Sequence, residues 1–419
     1  MKISNSVTGM AGALCGVILL SQTIAASPNP ECRSDNAGLV LPPGFCAVIV
    51  ADRVGGPRHL TVAANGDIFV AMRDGRGGVL ALRDTDGDGV ADLRTRFGVG
   101  EGSDVELQGG YLYFSTSTEV VRYVWEAGRF EPSGPPEIVL QDLPARGGHR
   151  SKSLAFGPDG SLYVNIGSRS NSCQVADRRS GSPGIDPCQE LRSWAGIWKF
   201  DPGNAPGSQE NGERFATGLR NTVALAIRPQ DGLLYGVIHG RDELGQNWGN
   251  LYTTEQSAEN PAEEFVRIAE GSNFGWPYCY YDPETEVKVL APEYGGDREI
   301  VGRCADFEDP LIGFPAHWAP NGLLFYSGAM FPSRYRGGAF VAFHGSWNRA
   351  PLPQQGFLIA FAPFEGEQPT GEFENFADGF RGTDGVVHRP VGLAEGPDGS
   401  LFVTDDRAGR IYRIMYVGE

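Results

Sequence analysis

Short apolar runs separated by tight turns recur along this chain. In each repeat, two runs rich in Val, Ile, Leu, Phe and Tyr flank a turn, as in residues 153–156, the turn 157–160 and residues 162–165. Runs of this length and composition, bounded by Gly, Pro, Asn and Asp, are typical of β-hairpins. The predicted hairpins cover residues 58–71, 105–114, 153–165, 223–237, 322–343 and 391–404.

A further apolar run follows several of these hairpins, for example residues 79–82, 120–123 and 411–414. The shorter intervals between hairpins fit a unit of four strands, and the longer intervals leave room for inserted loops. The sequence therefore predicts an all-β fold, a six-bladed β-propeller with four-stranded blades and loop insertions, over residues 27–419. A β-sandwich or a solenoid with similar turns is the alternative.

The histidines and several arginines occupy equivalent places in these repeats. The start of the first strand and the end of the second strand are neighbours in an antiparallel hairpin. All six histidines stand at these positions: His59, His149, His239, His317, His344 and His388. The same positions carry Arg58, Arg220, Arg241 and Arg389. Because guanidinium groups bind carboxylates in a forked geometry, we predict an anion-binding site at the mouth of a central channel.

Charge and composition narrow the possible partners. The chain has 52 acidic and 35 basic residues and a formal net charge of −17, which argues against nucleic acid and against an anionic membrane surface. Its 59 Gly and 29 Pro suit a turn-rich β protein. An anionic ligand must therefore be held by a local group of cations.

The N-terminus indicates export. Residues 1–26 are predicted to be a signal peptide, with Lys2 before an apolar run and small residues at 23–26. The apolar run is short for a membrane span, so a cleaved signal is favoured, with a retained anchor as the alternative. After its removal six cysteines remain, and their order suggests the disulfides Cys32–Cys46, Cys173–Cys188 and Cys279–Cys304, although other pairings are open. A periplasmic or secreted location is expected.

Three stretches at the predicted mouth carry candidate chemistry. His149 is a candidate general base, because imidazole titrates near neutral pH, or else a structural histidine bonded to a loop carbonyl. Arg220 and Asn221 can together bind a carboxylate and a carbonyl group of a ligand; the alternative is that they form a capped turn. His344 and Trp347 can stack on a flat ligand or form hydrogen bonds with it; the alternative is that Trp347 packs as a wedge between blades.

Two stretches are candidate metal sites. The backbone carbonyls of Gly240 and Arg241, with the acids that follow, could hold Ca²⁺. Asp84, Asp86, Asp88 and Asp92 are spaced as in a calcium loop, but Thr95 stands where an EF-hand has its bidentate Glu. We predict a structural calcium site there, away from the mouth, with a solvated acidic turn as the alternative.

Taken together, these motifs resemble the soluble pyrroloquinoline quinone (PQQ)-dependent glucose/sorbosone dehydrogenases, especially the sorbosone dehydrogenase-like branch. The resemblance runs from about residue 40 to the C-terminus. It rests on Gly148-His149, Leu219-Arg220-Asn221, Asn273-Phe274-Gly275-Trp276-Pro277, His344-Gly345-Ser346-Trp347-Asn348-Arg349 and Arg389-Pro390-Val391.

The resemblance implies a six-bladed propeller with PQQ across the channel mouth. It implies that His149 is the catalytic base and that Arg220 assists it. It assigns cofactor binding to Arg58, Arg220, Asn221, His344, Trp347 and Arg389, and the carbonyls of Gly240 and Arg241 to a cofactor calcium. Soluble glucose dehydrogenases have Lys where this chain has His344, and Pro where it has Arg241, so glucose as substrate and the metal are both in doubt.

The predicted function is the oxidation of an aldose or a sugar aldehyde such as sorbosone, by hydride transfer to the quinone. The expected partners are a sugar and an external electron acceptor, a cytochrome or a quinone. One alternative is a propeller that has lost its cofactor and binds glycans or proteins. Another is a lactonase-like propeller with a metal held by Glu, Asn and Asp, against which the His- and Arg-rich mouth argues.

Overall fold

The chain forms a ring of small antiparallel sheets. The computed structural model describes residues 1–2, 32, 34–381 and 388–418. The predicted signal peptide lies almost entirely outside the described residues. None of the helices in the described part of the chain has the length and apolarity that a membrane span requires.

The strands are numbered in chain order. The first half of the chain contains β1 (Phe45–Ala51), β2 (Pro57–Val62), β3 (Ile68–Met72), β4 (Val79–Arg83), β5 (Leu93–Phe97), β6 (Asp104–Gln108), β7 (Tyr111–Ser115), β8 (Val120–Val124), β9 (Glu137–Leu140), β10 (Leu154–Phe156), β11 (Leu162–Ile166), β12 (Gly196–Phe200) and β13 (Glu213–Thr217). The second half contains β14 (Ala224–Ile227), β15 (Leu234–Ile238), β16 (Glu263–Ile268), β17 (Cys279–Asp282), β18 (Val287–Leu290), β19 (Ile312–Phe314), β20 (Pro320–Phe325), β21 (Ala339–Phe343), β22 (Leu358–Ala362), β23 (Phe364–Glu365), β24 (Gln368–Pro369), β25 (Glu374–Ala377), β26 (Pro390–Glu395), β27 (Leu401–Asp405) and β28 (Arg410–Tyr416).

Helices in the described ranges are few and short. Two α-helices, α1 (Leu244–Asn247) and α2 (Thr254–Glu259), lie in one inserted loop. The 3₁₀ turns cover Asn36–Gly38, Gln189–Arg192, Pro202–Asn204, Gln209–Asn211, Pro292–Tyr294, Gly302–Asp306 and Ser333–Tyr335.

Six four-stranded sheets form the blades. In chain order they are β2–β5, β6–β9, β10–β13, β14–β16 with β19, β20–β22 with β25, and β26–β28 with β1. The first strand of each blade is innermost, and these six strands are neighbours around a closed ring. The prediction of a six-bladed propeller is confirmed, and its hairpins agree with the observed strands to within about two residues.

The ring is closed by a strand from the N-terminal end. β1 pairs antiparallel with β28, with Phe45 opposite Tyr416. The Phe45 ring also packs against aromatic rings of blade 5, 4.8 Å from Phe331 and 5.1 Å from Phe376 between ring centroids. This contact ties the first strand of the chain to both of the last two blades. The repeat pattern gave no indication of this closure.

The turns follow from their residues. In the hairpin of blade 3, Gly160 has a φ of +82°, which side chains other than glycine rarely adopt, and Asp159 Oδ1 accepts a hydrogen bond from Ser161 N at 3.0 Å. Apolar side chains of facing blades fill the space between the sheets and form the core.

The three predicted disulfides are all present, Cys32–Cys46, Cys173–Cys188 and Cys279–Cys304. The second closes a loop within residues 167–195, which join β11 to β12 of blade 3. Residues 239–262 make the corresponding connection in blade 4, and residues 344–357 make it in blade 5. Because each of these long connections joins the second strand to the third, all three rise from the same end of the ring as the predicted mouth.

Candidate active site at the channel mouth

The orientation of His149 is fixed by a carbonyl group. Its Nδ1 lies 3.0 Å from Ser168 O and 2.9 Å from Ser168 Oγ. A carbonyl oxygen only accepts, so Nδ1 carries the proton and Nε2 has a free lone pair. Burial, with the positive charge of Arg220 next in importance, lowers the pKa of His149 to about 3. The ring is therefore neutral over the ordinary pH range and can accept a proton at Nε2.

Arg220 is held in place on three sides. Only 3% of the residue is exposed. Its guanidinium donates to Gly240 O at 2.7 Å, to Asn171 Oδ1 at 3.0 Å and to Asp242 Oδ2 at 2.8 Å. Burial lowers the pKa of Arg220 from its usual value. The sequence pointed to Arg220, and the structure adds the carboxylate and the amide that orient it.

Asp242 is the acceptor at the centre of this group. It receives hydrogen bonds from Arg178 and Arg220, each at 2.8 Å, and one from the amide of Asn348. Burial by itself would raise the pKa of Asp242, but the two arginines hold it well below the usual range. Asp242 is thus stabilised as an anion, and it connects the mouth loops of blades 3, 4 and 5.

A second ion cluster lies at the junction of blades 1, 5 and 6. Asp406 Oδ2 accepts from Arg58 at 2.7 Å, and its carboxylate lies 3.0 Å from His344 Nε2. Burial by itself would raise the pKa of Asp406, but His344 and Arg58 lower it to about 2. Arg58 and His344 were both predicted site residues, and a single carboxylate brings them together.

Further cations lie beside Arg58. Arg73 donates to Ser151 Oγ at 2.8 Å, next to the segment that carries His149. Burial and the proximity of Arg58 lower the pKa of Arg73 to about 10. Lys152 is fully buried and donates to Arg150 O at 3.1 Å; burial lowers its pKa to about 7. Several basic groups thus gather on this side of the mouth, although the chain as a whole is acidic.

Side-chain contacts at the mouth join segments of different blades. They include Arg73 with Ser151, Asn171 with Arg220, Asp242 with Asn348, His344 with Asp406, and Asp406 with Arg58. These side chains come from five of the six blades. Contacts between blades therefore hold these side chains in place at the mouth.

The other four histidines share the mouth end of the strands but differ in their contacts. His59 lies 2.7 Å from Asn321 O and 3.1 Å from Asp104 Oδ2, so it joins blades 1, 2 and 5. His317 is buried against Ser257 O at 2.9 Å, and His388 pairs with Asp405. These three have structural contacts. His239 resembles His149 more closely, because burial and Arg220 lower its pKa to about 4.

The remaining predicted residues have varied positions. Asn221 is buried, and its Oδ1 lies 3.4 Å from Asn165 Nδ2. Arg389 immediately precedes β26, and its Nε is buried without a partner among the described residues. Trp347 is 59% exposed and does not wedge between blades.

The two predicted metal sites differ in their surroundings. Gly240 O already accepts from Arg220, and the Arg241 side chain is turned to the buried carboxylate of Glu293.

Asp84, Asp86 and Asp88 lie in the exposed turn between β4 and β5, with oxygens within 4.8 Å of one another. Asp92 instead accepts from Thr85 N and Oγ1 at 3.0 and 2.8 Å. That turn is at the far end of blade 1 from the mouth, as expected, and its calcium site stays a prediction.

Several site residues were not singled out from the sequence. Arg73 follows the second strand of blade 1, so the positional rule that selected the histidines would also have selected it. Asn171 and Ser168 lie in a long inserted connection whose path no repeat pattern predicts. Glu263 was also missed; its carboxylate accepts from Gly240 N and Ala319 N, and burial raises its pKa to about 7.

The fold and this rim define the chain as a six-bladed propeller with a cationic, histidine-containing mouth. Comparison with known families makes the assignment more specific. Residues 39–417 match the TrAA12-like family, and the chain belongs to that family. The resemblance to PQQ-dependent sugar dehydrogenases is thereby confirmed.

Individual relatives are more distant. One is an uncharacterized protein of Borreliella burgdorferi, 31% identical over 208 residues, which are 49% of this chain and 49% of that protein. Another is a pyrroloquinoline quinone-dependent pyranose dehydrogenase of Coprinopsis cinerea, 26% identical over 289 residues, 60% of this chain and 37% of that protein. The matched regions thus span about half or less of these relatives.

Solved structures agree on the fold. A calcium structure of the family AA12 enzyme of Trichoderma reesei has a TM-score of 0.74 at 20% identity and covers 93% of this chain and 99% of that one. The holo form of the PQQ domain of the Coprinopsis cinerea pyranose dehydrogenase has a TM-score of 0.72 at 19% identity, covering 93% and 98%. The relatives with named activities are sugar oxidoreductases, the enzyme class that the sequence predicted.

Proposed function

We propose that this chain oxidises an aldose or a sugar aldehyde, with PQQ bound at the channel mouth. The observation that carries the proposal is the neutral His149, with Nε2 free, beside the buried cation Arg220 on the same rim. In this oxidation a hydride leaves the sugar carbon and a proton leaves the hydroxyl on that carbon, and a base beside a fixed positive charge suits both losses.

The rim residues fit PQQ, a flat quinone with three carboxylates. Arg58 and Arg389 each have a buried Nε without a partner among the described residues. A buried guanidinium N–H without an acceptor favours an anionic ligand that completes its hydrogen bonds. Arg58, Arg389 and Asn221 would hold the cofactor, with Trp347 as an aromatic surface beside it. When bound, PQQ would supply the hydride acceptor.

The Nε2 atom of His149 would accept the proton from the sugar hydroxyl. The bond from Nδ1 to Ser168 O holds the ring in the required tautomer. A base positioned in this way typically contributes about 10²–10⁴-fold to the rate. His239 is the rival base, since its Nδ1 faces Asn221 O at 3.3 Å.

Arg220 and His344 would stabilise negative charge as the reaction proceeds. Arg220 is oriented by Asn171 and Asp242 before substrate binds, so little reorganisation is needed. His344 is held by Asp406, which also offsets the charge of Arg58.

Calcium at Gly240 and Arg241 does not fit the residues as they are arranged. The Gly240 carbonyl is engaged by Arg220, and a cation placed there would have to displace that guanidinium. No step of the proposed mechanism uses calcium, and the assignment stays a prediction.

The proposal also includes the choice of sugar, with sorbosone among the candidates. It includes an external electron acceptor, which is a cytochrome or a quinone, and a periplasmic or secreted location. The three disulfides support this location, because disulfides persist mainly in oxidising compartments.

Reconstitution tests the function directly. Purified chain is mixed with PQQ in CaCl₂ or in EDTA, and quinone absorbance, melting temperature and dye reduction are recorded with sorbosone and a panel of aldoses. We expect a new absorbance, a raised melting temperature and sugar-dependent dye reduction. Arg389→Met should weaken PQQ binding, whereas Arg129→Met, which alters an exposed arginine in the turn between β8 and β9, should not.

An unchanged absorbance and melting temperature would overturn the proposal and favour a propeller that binds glycans or proteins without redox chemistry. PQQ binding without turnover of any sugar would retain the cofactor and refute the substrate class.

A further inference from the structure

An open groove lies beside the mouth and has no part in the chemistry described above. It has a volume of about 660 Å³ and runs between residues 245–257 of blade 4 and residues 348–351 of blade 5. Sites for small ligands typically have volumes of about 300–1,000 Å³. The groove is therefore large enough for a sugar residue or more.

Asn348 connects the groove to the mouth. It forms part of the groove wall, and its Nδ2 donates to Asp242, the anion that orients Arg220. Asn348 is only 8% exposed, and its Oδ1 has no partner in the described part of the chain. A buried acceptor without a donor favours a ligand that brings one. A molecule that reacts at the mouth could thus extend over Asn348 into the groove.

The lining has the chemistry of a carbohydrate site. Its groups are small or hydrogen-bonding, among them Gly245, Gly249, Thr254 and Glu255. None of the described groove-lining residues is a lysine or arginine, which disfavours an anionic ligand. A sugar presents hydroxyl groups that can both donate to and accept from such hydrogen-bonding groups.

We propose that this groove is a second sugar-binding subsite, which holds the next residue of a reducing oligosaccharide while its terminal sugar reacts at the mouth. The inference rests on the proposed function, since it names the substrate that this function would prefer. The groove does not distinguish one glycosidic linkage from another, and the assay therefore covers two.

The test introduces a bulky side chain into the groove to block sugar binding there. Thr254 is exposed at the start of α2, and Thr254→Trp would place an indole in the groove; Thr254→Ser is the conservative variant. Thr370→Trp adds the same indole at an exposed threonine just after β24, between the third and fourth strands of blade 5 and away from the mouth. Circular dichroism and melting temperature establish that each variant is folded.

Two readouts are compared. In the PQQ-loaded enzyme, the ratio of the KM for cellotriose or maltotriose to the KM for glucose should rise at least about tenfold in Thr254→Trp. It should stay at the wild-type value in Thr254→Ser and Thr370→Trp. By calorimetry without added PQQ, one of the trisaccharides should bind more tightly than glucose, and Thr254→Trp should abolish that difference.

A wild-type chain that binds both trisaccharides no better than glucose would overturn the subsite. So would an unchanged KM ratio in Thr254→Trp. If no sugar is oxidised, the proposed function fails, and the calorimetric comparison alone decides whether the groove binds glycans.

Discussion

Replacing His149 by alanine has two consequences of known direction that can be measured separately. The first is catalytic: loss of the base should lower kcat/KM for the best sugar by about 10²–10⁴-fold, equivalent to about 3–5 kcal/mol of transition-state stabilisation. The second is an effect on stability at low pH, because the pKa of His149 is lowered from 6.5 to about 3 in the folded chain.

The sign of the stability effect follows from proton binding. Between pH 6.5 and 3 the unfolded imidazole binds a proton and the folded one does not, so stability falls as pH falls through this window. At pH 5 the solution is about 1.5 pH units below the unfolded pKa of 6.5. At 1.36 kcal/mol per unit, the folded state therefore loses about 2 kcal/mol of stability relative to neutral pH. Because the side chain is partly exposed, solvent screening reduces this to about 1–2 kcal/mol.

Denaturant unfolding of wild-type and His149→Ala protein at pH 7.5 and pH 5 measures this effect. Loss of packing lowers the stability of the variant at both pH values. The gap between variant and wild type should therefore shrink by about 1–2 kcal/mol at pH 5. His239→Ala is the matched control, because the pKa of His239 is also lowered, to about 4, by burial and Arg220. It should give a similar stability shift and retain most of the activity.

Two outcomes would refute this reasoning. If His149→Ala binds PQQ and retains full turnover while His239→Ala loses it, His239 is the base. If the stability gap is the same at both pH values, the imidazole of His149 titrates normally, and the environment inferred for it is wrong.

The remaining predictions concern the support of the mouth. Asp406→Asn removes the shared carboxylate of Arg58 and His344. Because the Asp406 side chain is 21% exposed, the loss of stability should be smaller than the about 3–5 kcal/mol that a fully buried ion pair costs. Thermal unfolding should occur at a lower temperature, whereas Asp398→Asn, at the far end of blade 6, should change the unfolding temperature less. Replacing both Cys173 and Cys188 by alanine should lower the free energy of unfolding by about 3 kcal/mol, from the length of the closed loop, and should weaken PQQ binding measured by absorbance titration. An unchanged PQQ affinity would show that this loop does not support the site.

The hairpin pattern in the sequence was enough to predict the strands of each blade. Alternating apolar runs, and turns such as Gly157–Gly160, determine where strands begin and end within a few residues, because these features depend on neighbours in the chain. The positions of His149, Arg220 and Arg389 relative to their strands followed from the same pattern. The disulfide partners were also close enough in sequence to be paired correctly.

What only the tertiary structure decided is which side chains meet across the ring. Arg58 and Asp406 are 348 residues apart and form an ion pair because β1 closes the last blade and the ring brings blade 6 next to blade 1. The inserted connections place Asn171 and Asn348 against Arg220 and Asp242, and insertions have no repeat from which their path could be read. The sequence by itself thus determined the blades and the end of the ring where the histidines and the candidate arginines gather. The protonation state of His149 and the partners of each arginine depend on burial and on long-range contacts, which exist only once the ring has closed.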